Sequence, residues 1–230
     1  MINKKLQELY EKKWDTLLSN ASGTNAACPL LIKVNPAYQE ANIKVMIVGQ
    51  ETDGWIGLLE ENKENIATLQ DAYYKYLYEN KKKNRRPFWN RKNFRYYKEE
   101  LTKKFSPNNK IAFIWNNISK IGNKGSGKPT EKIKILENKC FNVFEEELKI
   151  LEPDIIIFTT GNRQIPIEHD DIKKVGKEHV TEIKFKNYPN IIAVRTYHPN
   201  AKIKGGKKPF KKEIVKLINE RYNESLELDI

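Results

Sequence analysis

The chain has 230 residues, 39% hydrophobic, 10% aromatic and 31% charged, and its 42 Lys and Arg against 30 Asp and Glu leave a net charge of +12. That length suits one compact domain with long loops, and the composition excludes a disordered or fibrous chain. Two cysteines (Cys28, Cys140) and three histidines make no iron–sulfur, four-cysteine zinc or multi-histidine centre, and no apolar run approaches the ~20 residues of a membrane span.

In chain order, an N-terminal helix places Leu6, Leu9, Tyr10, Trp14 and Leu17 on one stripe. The first strand is IKVMIVG (43–49). A helical pattern over 64–80 carries Ile66, Leu69, Tyr73 and Leu77, three or four residues apart. The second strand is KIAFIWN (110–116), and a long helix over 130–151 follows with Ile133, Leu136, Cys140, Phe144, Leu148 and Leu151 on one face. The third and fourth strands are DIIIFTTG (154–161) and NIIAVRTY (190–197). Between them, Glu168 to Lys186 holds a short helix or an extra strand. A last helix covers 210–222 with Phe210, Ile214, Leu217 and Ile218. Near-continuous apolar strands alternating with helices predict a three-layer α/β/α sandwich around a central four-stranded parallel sheet. A single domain over 1–230 is expected, with 1–40 a helical segment packed on it. The start, MINKKLQELYEKKW, lacks a signal-peptide core, so a cytoplasmic, monomeric protein with no cofactor and no metal is expected.

The positive charge is concentrated. Residues 80–104 carry a net +9, 117–139 a net +4 and 200–216 a net +6, which leaves −7 for the rest. Basicity confined to patches points to a polyanion, and nucleic acid is the expected partner. Ligands of open parallel sheets bind beyond the carboxyl ends of the strands. Those ends read GQETDGW, NNISKIG, GNRQ and HPNAKIKGGKK. The run from Gly122 to Lys128 is nearly a phosphate-binding loop, but Pro129 stands where the motif needs Ser or Thr. It reads instead as a basic loop, with Lys128 touching phosphate. His169 beside Asp170 and Asp171 reads as a solvated acidic turn.

At the first strand end, Gly49 allows close backbone approach, and Glu51 and Asp53 put two carboxylates in one turn. His198 follows the fourth strand in Tyr197-His198-Pro199-Asn200. With these motifs the chain resembles the uracil-DNA glycosylase superfamily. Gly49-Gln50-Glu51-Thr52-Asp53 is similar to its G-Q-D-P-Y, with Glu for Asp. His198-Pro199-Asn200 is similar to its H-P-S. Phe113-Ile114-Trp115-Asn116 resembles its strand ending in Asn, and Gly161 fits the third strand end. The resemblance spans roughly residues 43–215.

The resemblance implies a DNA glycosylase with Glu51, His198 and Asp53 as the candidate catalytic group. Glu51 would stabilise an oxocarbenium-like sugar and direct water, and His198 would hydrogen-bond the departing base. Gln50 and Asn116 would bind the base, Asn116 through an amide that both donates and accepts. Phe88, Trp89 or Trp55 would stack on it. Asn200, Lys202, Lys204, Lys207 and Lys208 would hold single- or double-stranded DNA, and Ile203 would be the wedge in the vacated stack. Asp53 stands where the family has Tyr, leaving room for a C5 substituent. The substrate is therefore uracil or a C5-modified pyrimidine, with excision of bulky modified cytosine from phage DNA as a defence variant. A DNA-binding protein on the same fold without catalysis is the competing expectation.

Overall fold

A computed structural model describes residues 1–61, 63–79, 89, 93–125, 127–175 and 179–228. The helices are α1 (Ile2–Ser19), α2 (Pro36–Gln39), α3 (Ile66–Tyr74), α4 (Phe94–Phe105), α5 (Glu131–Cys140), α6 (Phe144–Leu151) and α7 (Lys208–Leu228). The strands are β1 (Ile43–Gly49), β2 (Ile111–Asn117), β3 (Ile155–Phe158), β4 (His169–Val175), β5 (Val180–Phe185) and β6 (Ile192–Thr196). The fold is α/β. No helix among the described residues is long and apolar enough to cross a membrane.

The chain divides into two compact units, each assembled from separate segments. The first comprises Met1–Gln39, Gln50–Lys81 and Asn116–Glu152, and the second Glu40–Gly49, Lys82–Trp115 and Pro153–Ile230.

The first unit is helical. α1 packs on α3, α5 and α6 through the stripe Leu6, Leu9, Tyr10 and Leu17, all buried. Each such side chain contributes about 1.5–3 kcal/mol on burial. The Asn65 side chain caps α3 by accepting from Thr68 N at 2.9 Å, and Thr130 caps α5 by accepting from Ile133 N at 3.4 Å. The single helix expected over 130–151 is two. Phe141 leaves helical geometry (φ −143°, ψ 35°), which sinks both Phe141 and Val143 into the core before α6 starts.

The second unit holds a mixed sheet of six strands in the order β2-β1-β3-β6-β5-β4, where four were expected. β1, β3 and β6 run parallel, with Val45 opposite Ile155 and Ile155 opposite Ile192. These three strands are almost entirely buried, as two-sided cover requires. The 168–186 segment supplies the extra strands. β4 and β5 form an antiparallel hairpin, and β5 extends the sheet by pairing antiparallel to β6. α7 packs on β5 and β6, and α4 packs on α7, where Phe105 meets Tyr222 edge-on at 4.8 Å. Sequence analysis had no helix at α4; Phe94, Tyr97, Leu101 and Phe105 form its buried stripe.

Candidate functional site

In the first unit, the segment leaving β1 is pinned to the segment leaving β2. Ser119 N donates to Gln50 O at 2.9 Å, and Asp53 bridges Asn123. Gly122 lies so close to Thr52 that a Cβ there would sit 2.4 Å from Thr52 O and 2.6 Å from its Oγ1. Gly54 (φ +64°) is similar, with a Cβ position 2.8 Å from Lys124 O. Glycine is required at both. A third segment closes the assembly, with Ala27 N donating to Gly122 O (2.9 Å) and Leu30 N to Lys120 O (2.8 Å). On this platform Gln50 and Glu51 are half-buried and Asp53 is exposed. Trp55 is half-buried and meets Tyr76 edge-on at 5.5 Å.

The platform stands on a buried polar network that sequence reasoning missed. Lys120 is 1% exposed and Glu147 fully buried, with Nζ 2.8 Å from Oε1 and 2.9 Å from Oε2. Tyr10 Oη donates to Glu147 Oε1 at 2.7 Å and accepts from Ile32 N at 3.0 Å. Glu137 accepts from Lys120 N (2.6 Å) and Ile121 N (3.4 Å). Asn116, expected to read the base, is wholly buried within this network. Its Oδ1 accepts from Lys120 Nζ (2.6 Å) and Asn117 N (2.8 Å), and its Nδ2 donates to Glu147 Oε2 (3.0 Å). Burial pushes Glu137 up to about 7 despite the two amide donors. Burial also holds the Lys120 ammonium below its ordinary range, against the attraction of Glu147.

In the second unit, His198 leaves β6 beside the β3 exit. Gly161 N donates to Thr196 O at 2.9 Å, and Gly161 (φ +63°) lies against the His198 backbone. His198 is half-buried, and its Nδ1 accepts the Asn200 amide N–H at 3.2 Å. The neutral ring then carries its proton on Nε2, which is left as a donor. Burial, then the charges of Arg163 and Lys207, pull its pKa below the ordinary 6.5.

Among the expected DNA contacts, Asn200, Lys202, Lys204 and Lys208 are exposed, as is Lys128 in the first unit. Lys207 turns inward, donating to the Pro199 carbonyl and lying 5.5 Å from the Tyr197 ring centroid. Ile203 is half-buried. Trp89 packs edge-on against Trp115 at 4.8 Å and tilted against Phe94 at 5.0 Å. Phe88 lies outside the described residues. Gln50, Glu51, Asp53, Trp55, Asn116 and Lys128 thus belong to the first unit, and Trp89, His198 and the 200–208 residues to the second. No family model, curated protein or solved structure matches the chain.

Two further features bear on chemistry. Among the described residues, no group of three or more His, Cys, Asp or Glu is arranged to hold a metal ion. A cleft of about 450 Å³ lined by Phe105, Asn108, Asn219 and Tyr222 contains none of the expected site residues. What the two loop assemblies offer is a half-buried carboxylate on a rigid turn, and a neutral imidazole with a fixed donor. The first suits a developing cation and the second a developing anion.

Proposed function

We propose that this chain is a DNA glycosylase that hydrolyses the N-glycosidic bond of a flipped-out uracil or C5-modified pyrimidine and leaves an abasic site. In this reading the sheet is the four-stranded parallel sheet of the uracil-DNA glycosylase superfamily, widened by the β4–β5 hairpin. Glu51 stabilises positive charge on the sugar as the C1′–N bond breaks and its electron pair leaves with the base. Water adds to C1′, and its proton ends on the released base. His198 Nε2–H stabilises the anionic base as it departs, and Asp53 meets the substituent at C5. Exposed Lys128, Lys202, Lys204 and Lys208 contact phosphates.

The observation that supports this reading best is the Asn200 N–H bond to His198 Nδ1, because it leaves Nε2–H as a neutral donor without the penalty of holding a cation. A second reading, a DNA-binding protein without turnover, draws support from Asn116, whose amide is occupied by Lys120 and Glu147. Free-base release read by mass spectrometry separates the two. The panel holds uracil-containing single strands and duplexes, and phage DNA with modified cytosines. Release of one base establishes the glycosylase and names its substrate. Salt-sensitive binding with no release from any DNA establishes the second reading.

A further inference from the structure

The six-stranded sheet ends at β4. β4 pairs with β5 along one side, and among the described residues no strand pairs with its other side. An open edge carries a row of backbone donors and acceptors that can take up another strand, and edges are commonly guarded by charge and by bulges. β4 has both, in an unusual combination.

Its charges are of mixed sign and their order is self-complementary. Along the strand they run Asp170, Asp171, Ile172, Lys173, Lys174, so a second copy running antiparallel presents lysines to the acids. Asp171 is drawn back to its own sheet, where it accepts from Arg195 at 2.8 Å. Asp170 and Lys173 are both exposed. Three residues apart on a regular strand, they would point to opposite faces. The bulge changes this, because Asp171 lies opposite Ile183 and Lys173 opposite Glu182, which leaves Ile172 with no opposite residue. Asp170 stands opposite Lys184 and Lys173 opposite Glu182, two residues apart on β5, so the bulge puts Asp170 and Lys173 on one face. Ile172 itself is 54% exposed.

We propose that β4 pairs antiparallel with β4 of a second copy, with Asp170 of each chain facing Lys173 of the other, so that two sheets join into one. The two-fold axis makes the charge contact twice. Each row then alternates in sign across four strands, from Lys184 and Asp170 of one copy to Lys173 and Glu182 of the other, and opposite charges on facing strands stabilise the pair. The edge also suits the charge of the whole chain. Two copies at +12 repel each other over most of their surface, but residues 168–175 hold three acids and two lysines and escape that repulsion. The pairing is independent of the glycosylase reading and differs from the monomer expected from the sequence.

Sedimentation equilibrium of the whole chain, without DNA, tests it. The mass is expected to rise with concentration from 27.0 kDa toward twice that value. Amide exchange over residues 169–175 is expected to slow across the same concentration range. Asp170→Lys and Lys173→Asp each set like charges face to face, and each should raise the dimer dissociation constant at least about tenfold. Mixed in equal amounts, the two variants should dimerise as wild type does, because each lysine of the first then faces an aspartate of the second. A constant mass of 27.0 kDa up to the solubility limit overturns the pairing and leaves the edge to a strand of another protein. A dimer that both reversals leave intact also overturns it, as do variants that keep a folded circular-dichroism spectrum yet fail to recover on mixing.

Discussion

The two loop assemblies use lysine in opposite ways. Beneath the β1 and β2 exits, Lys120 is sequestered with Glu147, Asn116 and Tyr10, and its backbone is gripped by Glu137. Beyond β6, Lys202, Lys204 and Lys208 point their charge at solvent, whereas Lys207 and Lys211 turn in, Lys211 over the Tyr96 ring. The first arrangement fixes geometry at the expense of desolvation, whereas the second leaves charge free to meet a polyanion. The difference lies in burial, which a charge count along the chain does not distinguish.

The sharpest way to break this comparison is to delete the buried cation. Lys120→Met strands Glu147 in the core, and a loss of about 3–5 kcal/mol is expected by urea unfolding. Adding Glu147→Leu should recover part of that loss, because removing both partners costs less than removing one. A Lys120→Met protein as stable as wild type would show that the network carries no structural role.

Glu137 gives a pH-dependent version of the same contrast. Its folded pKa of about 7 lies above the ordinary 4.5, so the folded state binds a proton that the unfolded chain lacks between those values. Stability contributed by this proton is full below about 4.5 and is lost as pH rises through about 7, a change on the order of 3 kcal/mol. Lys120 and Glu147, the charges facing it, set opposing parts of that balance. Glu137→Gln should flatten the slope in urea melts run between pH 5 and pH 7; an unchanged slope would place the titration elsewhere.

On the exposed side the responses should reverse. Lys204→Gln and Lys208→Gln should leave stability within about 0.5 kcal/mol, yet each should reduce the slope of log affinity for DNA against log salt by roughly one. Unaltered salt dependence would remove these lysines from the interface. The smallest expected effect is on His198. Arg163→Gln removes a repelling charge and should raise the imidazole midpoint from below 6.5 toward it, read by NMR titration of the three histidines. A downward movement would contradict the assigned cause.

The contrast also explains what was legible in the sequence. β1 was read at its true bounds because Ile43–Gly49 is apolar on both faces. The 168–186 segment stayed ambiguous because β4, in HDDIKKV, keeps most of its described side chains in solvent and shows no apolar run. α4 hid behind the basic charge of 80–104, although Phe94, Tyr97, Leu101 and Phe105 keep helical spacing. Within the candidate site, the strand-end glycines and the acidic and histidine turns were visible as local patterns. The network was not. Glu137 and Glu147 sit on helices whose apolar stripe was read from its hydrophobic members alone, so the buried acids on the inner face went unread. Asn116 stood out as a polar strand end, but its bonds to Lys120 and Glu147 join residues 4 and 31 positions away.

The central claim is that Glu51 performs chemistry on bound DNA. Single-turnover base release and DNA affinity, measured side by side for wild type and Glu51→Ala, test it most directly. The account predicts that the release rate falls by at least about a thousandfold while affinity and its salt dependence remain at wild-type values. Release that persists in Glu51→Ala, or affinity that collapses together with release, would contradict it.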